Sequence, residues 1–396
     1  RGGAESSPGD RTVALGMRAA RSGQLDFAVS VGAMADTPGS IGRQGLGSVR
    51  LGYGAAPAGM DEQSVSIGVD SAGAGSLPAR CVSIGTNSAS STGERIISIG
   101  SRALPAPLQL TETITIGCEA VSNAAPAEGV VLVGHEAGAG ASSVGANAVV
   151  VGYKAATVPP ASTHGPGAIA IGAEAGNVLG SGGIAIGDRA GGTNIGNGSI
   201  AVGSQAMNPG PVNPTGYIAL GQDAGQASSA SAQNSLAIGR KAGTGGTGLR
   251  QQLDNCIDVG LRDLATGGQA AEAISIGTYR TCPGQLGGAI AIGGGLVTGP
   301  APSGSNSVQI GWSDSTTPTA ERGIAIGYNA FAAAGAVAMG YEASAGVDGS
   351  IALSGRQAGV TATGPGFFVA PIRNQVQVYA TAPNGVAVPP LYNQTP

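Results

Sequence analysis

The side chains most able to do chemistry in this 396-residue chain are few and scattered. Only two histidines occur, His135 and His164. An imidazole near neutrality can act as a general base or hold a metal. His135, however, follows a glycine in a turn-like segment, and His164 lies in the loop-like stretch PPASTHGPG. Both read as surface loop residues. Carboxylates recur just after glycines, at Glu119, Glu136, Glu174, Asp188 and Asp223. A row of this kind could hold a divalent cation or a glycan. With Arg102, Arg189 and Arg240 interspersed, it reads as a solvated edge of mixed charge.

The remaining motifs lead no further towards catalysis. Cys81, Cys118, Cys256 and Cys282 lack metal-ligand spacing and read as free thiols packed like small hydrophobes. The glycine-rich GTGGTG at Gly243–Gly248 lacks the Lys-Ser/Thr of a phosphate loop. Sequons stand at Asn197-Gly198-Ser199 and Asn393-Gln394-Thr395. A threonine ladder of the ice-binding kind is approached only at Thr111, Thr113 and Thr115. Trp312 and Tyr328 read as capping hydrophobics, with a binding patch as the sharper alternative. No catalytic, cofactor or metal site is therefore expected, and the chain is not expected to be an enzyme.

The elements that must carry these residues are unusual in composition. Glycine supplies 72 residues, charged residues only 11% and aromatics only 3%. Average chains hold about 25% charged residues. Such a chain cannot build a core from large side chains, so a thin architecture of turns and small residues is expected. The net charge is −4 and no basic run exists, which removes the electrostatic footprint of a nucleic-acid binder. No apolar stretch reaches the roughly 20 residues of a membrane span. The first residue is Arg1, and a processed or trimmed N-terminus is the expectation.

The organisation lies in a repeat. Apolar–x–apolar–Gly recurs 21 times, from Val13-Ala14-Leu15-Gly16 to a degenerate Ile351-Ala352-Leu353-Ser354, at a mean spacing of about 17 residues. Well-formed copies place Ile169 and Ile171 before Gly172, Ile184 and Ile186 before Gly187, Ile200 and Val202 before Gly203, and Ile324 and Ile326 before Gly327. Alternation of period 2 puts both apolar residues of a copy on one face of a short strand, and the glycine marks a bend. Gly-x-x-Ala, as in Gly134-His135-Glu136-Ala137, then turns a small residue inward. Intervals filled with Gly, Ser, Asn and Pro exclude a helical crossover. Each strand is expected to stack on its counterpart one coil earlier, at about 4.8 Å per coil, so that 21 coils would form a rod of about 100 Å.

Orientation matters for assembly. The apolar pair is expected to form the coil interior, and the small residue between its members to face outward. Two apolar residues per copy bury little surface for the backbone they must order. A second buried surface is needed, and association through the small-residue side is the expected remedy.

The recurring (S/A)-I-A-I-G-x-x-A resembles the head repeats of trimeric autotransporter adhesins. Over residues 13 to 354 that resemblance implies a left-handed parallel β-roll associating as a homotrimer. The C-terminal stretch GPGFFVAPIRNQVQVYATAPNGVAVPPLYNQTP breaks the pattern and concentrates aromatics. Phe367-Phe368, with Pro371 and Arg373, followed by Leu-Tyr-Asn around Tyr392, resembles the junction that precedes the self-cleaving intramolecular chaperone of viral fibre and spike proteins, notably of large viruses of algae and protists. The two resemblances together imply an all-β chain with a β-roll over 1–355 and a trimerising junction over 356–396. They also imply a structural spike or fibre at a virion or cell surface, meeting a host glycan or protein receptor and other surface proteins. A bacterial adhesin head is the alternative, and a glycan-active enzyme on a β-solenoid the minor one.

Overall fold

The computed structural model describes residues 9–17, 19, 23–33, 44–56, 58–72, 76–91, 93–108, 111–121, 125–140, 143–157, 163–192, 195–208, 215–226, 233–243, 255–261, 272–278, 287–293, 304–312, 319–355 and 360–370. Among these residues the chain is all-β, with no helix, and forms a parallel β-solenoid. It divides into two compact units, Arg1–Gln205 and Ala206–Pro396.

In the first unit the main ladder runs from strand Val13–Leu15 to strand Ile200–Val202, and each of its strands begins at the first apolar residue of a repeat. Pairing is parallel and without offset: Ile169 stands opposite Ile184, and Ile184 opposite Ile200. The second unit repeats this from Ile218–Leu220 onward. Its ladder does not stop at the degenerate copy. Strand Phe367–Ala370 adds to Ile351–Ser354 in register, so the ladder reaches into the stretch expected to be a separate junction. Pro371, Arg373 and Tyr392 lie outside the described residues.

The bend after each strand explains the glycine. Gly187 has φ +131°, and a Cβ there would lie 2.5 Å from the carbonyl oxygen of Gly203 in the next coil. Backbone passes backbone too closely for a side chain. In the second unit this column ends at Ser354, whose carbonyl is what a Cβ on Gly340 would strike.

Where its residues are described, a second, shorter wall closes the coil. Gln24, Gln44, Met60 and Leu77 form successive parallel bridges, as do Leu179 and Ile195, while Ser143–Val144 pairs with Thr163–His164. In the second unit Phe331–Ala332 pairs with Ser344–Ala345. Aligned on their glycines, the repeats line the interior from four positions. These are five residues before the first apolar residue, one residue before it, the residue between the two apolar residues, and the third residue after the glycine. In the copy built on Gly187 they are Leu179, Gly183, Ala185 and Ala190, of which the three with side chains are buried. Ala137, Ala175 and Ala242 turn inward after the bend as expected.

The apolar pair behaves otherwise. Ile169, Ile184, Ile200, Val202, Ile324 and Ile326 are half-buried, and Ile171 and Ile186 are 37% exposed, whereas Ala170, Ala185, Ala201 and Ala325 between them are buried. The expected orientation is reversed. Period 2 establishes which residues share a face but not which face is inside. The second wall encloses the residue between the two apolar ones, a place filled mostly by alanine or serine, with Arg50 and Leu132 admitted in two of the coils.

Candidate functional site

The feature most able to act on a partner follows from that reversal. Apolar side chains, most of them valine and isoleucine, stand in two parallel rows on the outer face of the main ladder, one pair per coil, with in-register pairing keeping each row continuous within its unit. In the first unit the rows pass through Ile169 and Ile171, Ile184 and Ile186, and Ile200 and Val202; in the second they include Ile324 and Ile326. Rows of outward-facing apolar side chains of this length are uncommon on a monomeric surface, which makes this face the candidate site. Gly172, Gly187, Gly203 and Gly327, at φ of 131–135°, hold the strand ends at the bend and keep the rows aligned.

Beside this face runs the charged edge. Among the described residues the second one after a core glycine adopts a left-handed conformation, at φ +52° in Glu119, +54° in Glu136, +52° in Glu174 and +56° in Asp223. Three of these carboxylates reach a basic side chain one coil away. Arg102 pairs with Glu119, Lys154 lies 3.5 Å from Glu136, and Arg189 lies 3.1 Å from Glu174. Hydrogen bonding to Tyr153 and the charge of Glu136 push the Lys154 ammonium above its usual range. Among the described residues no three His, Cys, Asp or Glu side chains gather as a metal ligand set would.

The two histidines separate. His135 lies on the exposed edge, stacked on Tyr153 with ring centres 5.6 Å apart. His164, read from its loop-like surroundings as a surface residue, is instead buried at 3% exposure. Its position five residues before Ile169 puts it in the inward column with Gln44, Met60, Leu77 and Leu179. Alignment of the repeats on their glycines, rather than local composition, carries that signal.

Cys81 and Cys256 are buried and Cys118 is half-buried, all with free thiols, while Cys282 lies outside the described residues. Burial pushes the Cys81 thiol up, away from the reactive thiolate. Trp312 and Tyr328 occupy the same register, directly after the core glycines Gly311 and Gly327, and are 42% and 38% exposed. Tyr328 stacks on Tyr341 with ring centres 5.0 Å apart. These aromatics thus make an outer row in the second unit and do not cap its core. Among the described residues no helix is long and apolar enough to cross a membrane.

No known protein family matches the sequence, and no significant match is found among characterised proteins.

Proposed function

We propose that the chain is the structural subunit of a homotrimeric surface fibre or spike, built as a left-handed β-roll of about 21 coils. In this reading it serves host attachment or surface decoration, as the spike of a large virus. The observation that carries the proposal is the outer apolar ladder. A monomer whose interior is largely alanine and serine, and whose strand isoleucines face outward, has two rows of apolar side chains where a neighbouring chain can cover them. Three copies placing these rows about a common axis would bury the rows without leaving an open edge for further growth. Phe367, Phe368, Pro371, Arg373 and Tyr392 would knit the three chains at the C-terminal end.

The proposal assigns no catalysis, cofactor or nucleic acid to the chain. It locates the protein at a virion or cell surface. A host glycan or protein receptor would meet the exposed aromatic row of Trp312 and Tyr328, where sugar rings or apolar side chains can stack. The head of a bacterial trimeric autotransporter adhesin is the second reading, supported by the same repeat. The Phe367-Phe368 junction favours the viral one.

Sedimentation equilibrium of the purified chain tests the proposal. The expected mass is three times 37.9 kDa, and removal of residues 365–396 should shift the population towards monomer. A stable monomer at micromolar concentration would contradict it.

A further inference from the structure

The imidazole of His164 sits in a column of apolar side chains. The residues that line the same wall of neighbouring coils, Val144, Leu179 and Ile195, are all buried. Both ring nitrogens are engaged. Nε2 lies 3.0 Å from the carbonyl oxygen of Ala156, and the backbone N–H of Leu179 donates to Nδ1 at 3.4 Å. This arrangement fits one protonation state, with Nε2–H donating and Nδ1 bare. A second proton on Nδ1 would confront the Leu179 N–H and place a charge among Val144, Ala156 and Leu179.

Nothing among the described residues compensates such a charge. Strand Ser143–Val144, strand Ile169–Ile171 and residues 178–180 carry no ionisable side chain. The turn leading to Ala156 carries Tyr153 and Lys154, with Lys154 directed to Glu136 on the exposed edge. The following turn carries Glu174, which is bound to Arg189 on that same edge. Residues 157–162, Thr-Val-Pro-Pro-Ala-Ser, contain no ionisable group. Burial accordingly pushes the His164 pKa below its ordinary value of 6.5.

We propose that His164 is an acid-operated latch, in which a solvent proton taken up at Nδ1 breaks the Leu179 hydrogen bond and opens the coil around residues 163–180. The sign follows from the depressed pKa. The closed coil prefers the neutral ring, so closure is fully favoured above pH 6.5 and weakens as pH falls below it. Because opening takes up one proton, the opening constant rises by up to about ten-fold per pH unit until the closed-state pKa is passed. The latch is independent of how many chains assemble.

The chain itself suggests the control. Gln24 and Gln44 occupy the same inward position in other coils, with Gln24 Nε2 donating to Gln44 Oε1 at 2.9 Å, so His164→Gln places a side chain this wall already accepts. Hydrogen–deuterium exchange of the full chain at pH 7.5 and pH 5.0, corrected for the intrinsic chemical rate, reads the opening. Amides of residues 163–182 should lose protection about ten-fold or more at the lower pH, while those of residues 29–52 do not change. In His164→Gln the loss should vanish, and in His135→Gln it should persist. Equal protection of wild-type residues 163–182 at both pH values, or an undiminished acid response in His164→Gln, would overturn the latch. Should His164→Gln fail to fold, the two histidine ring signals of the wild-type chain decide by NMR. A His164 ring that titrates below 6.5 together with loss of the Leu179 amide supports the latch. A ring that titrates at or above 6.5 with that amide unmoved refutes it.

Discussion

Between Ser64 and Ser98 the inward residue between the two apolar ones of each strand carries a hydroxyl, at Ser66, Ser83 and Ser98, and between Ala325 and Ala352 it carries a methyl, at Ala325, Ala338 and Ala352. In the first stretch Ser83 donates to the carbonyl oxygen of Ser71 at 2.6 Å and lies 2.6 Å from the hydroxyl of Ser88, which donates to the same carbonyl at 3.0 Å. In the second, Ala325, Ala330, Ala332, Ala333, Ala336, Ala338, Ala343, Ala345 and Ala352 form one buried cluster, with Val360 packed against it. The alanine coils are also the shorter ones. Their strands start at Ile324, Val337 and Ile351, and those of the serine coils at Val65, Val82 and Ile97. In both stretches the inward position holds a small side chain, and the two differ in its polarity. A buried hydroxyl is admitted where a carbonyl stands within reach, as the Val347 carbonyl does for Ser350 at 2.6 Å even in the shorter coils, and elsewhere a methyl fills the place.

What the two stretches share should produce the largest effect. Gly85 and Gly327 both have positive φ, and a Cβ on either would strike the next coil's backbone carbonyl. Gly85→Val and Gly327→Val should each cost about 4 kcal/mol or more in denaturant unfolding, with no preference between the stretches. A large gap between the two variants would break the idea of a common frame.

What distinguishes the stretches should appear next. Ala338→Ser buries a hydroxyl in the methyl-lined cluster and should cost about 1–3 kcal/mol. Ser83→Ala leaves Ser88 with its Ser71 acceptor and should cost about 1 kcal/mol. Thermal melts ranking Ser83→Ala as the worse substitution would invert the comparison. The smallest effect belongs to the charged edge, which lies outside both interiors. Arg189→Ala removes an exposed pair with Glu174 and should change stability by less than about 0.5 kcal/mol, an effect that salt titration should erase.

Much of this fold was legible in the residues, and its misreadings have specific causes. Ile184-Ala185-Ile186-Gly187 announces a strand, its alternation and its bend, and the recurrence of that pattern announces a stack. The inside of the stack was not announced, because alternation is symmetric between the two faces. Coil width breaks the symmetry, and that width depends on a second wall only one or two residues long, seen as isolated bridges such as Gln44 to Met60. A wall so short has no periodicity to read. His164 was hidden for the same reason: prolines, serine and glycine surround it, and only its offset from Ile169 marks it as an inward residue. The candidate interaction face was legible in its residues but assigned to the wrong side. The small side chains expected to meet a neighbouring chain fill the coil, and the isoleucines expected to fill it stand outside.

In the proposed trimer the outward isoleucine rows hold chains together and do not hold a coil together. Ile184→Asp combined with Ile186→Asp, followed by sedimentation velocity and amide exchange on the same sample, tests it most directly. A monomer-sized boundary is expected, with the amides of residues 163–208 still protected. A trimer boundary that persists unchanged, or loss of protection throughout those coils, would contradict it.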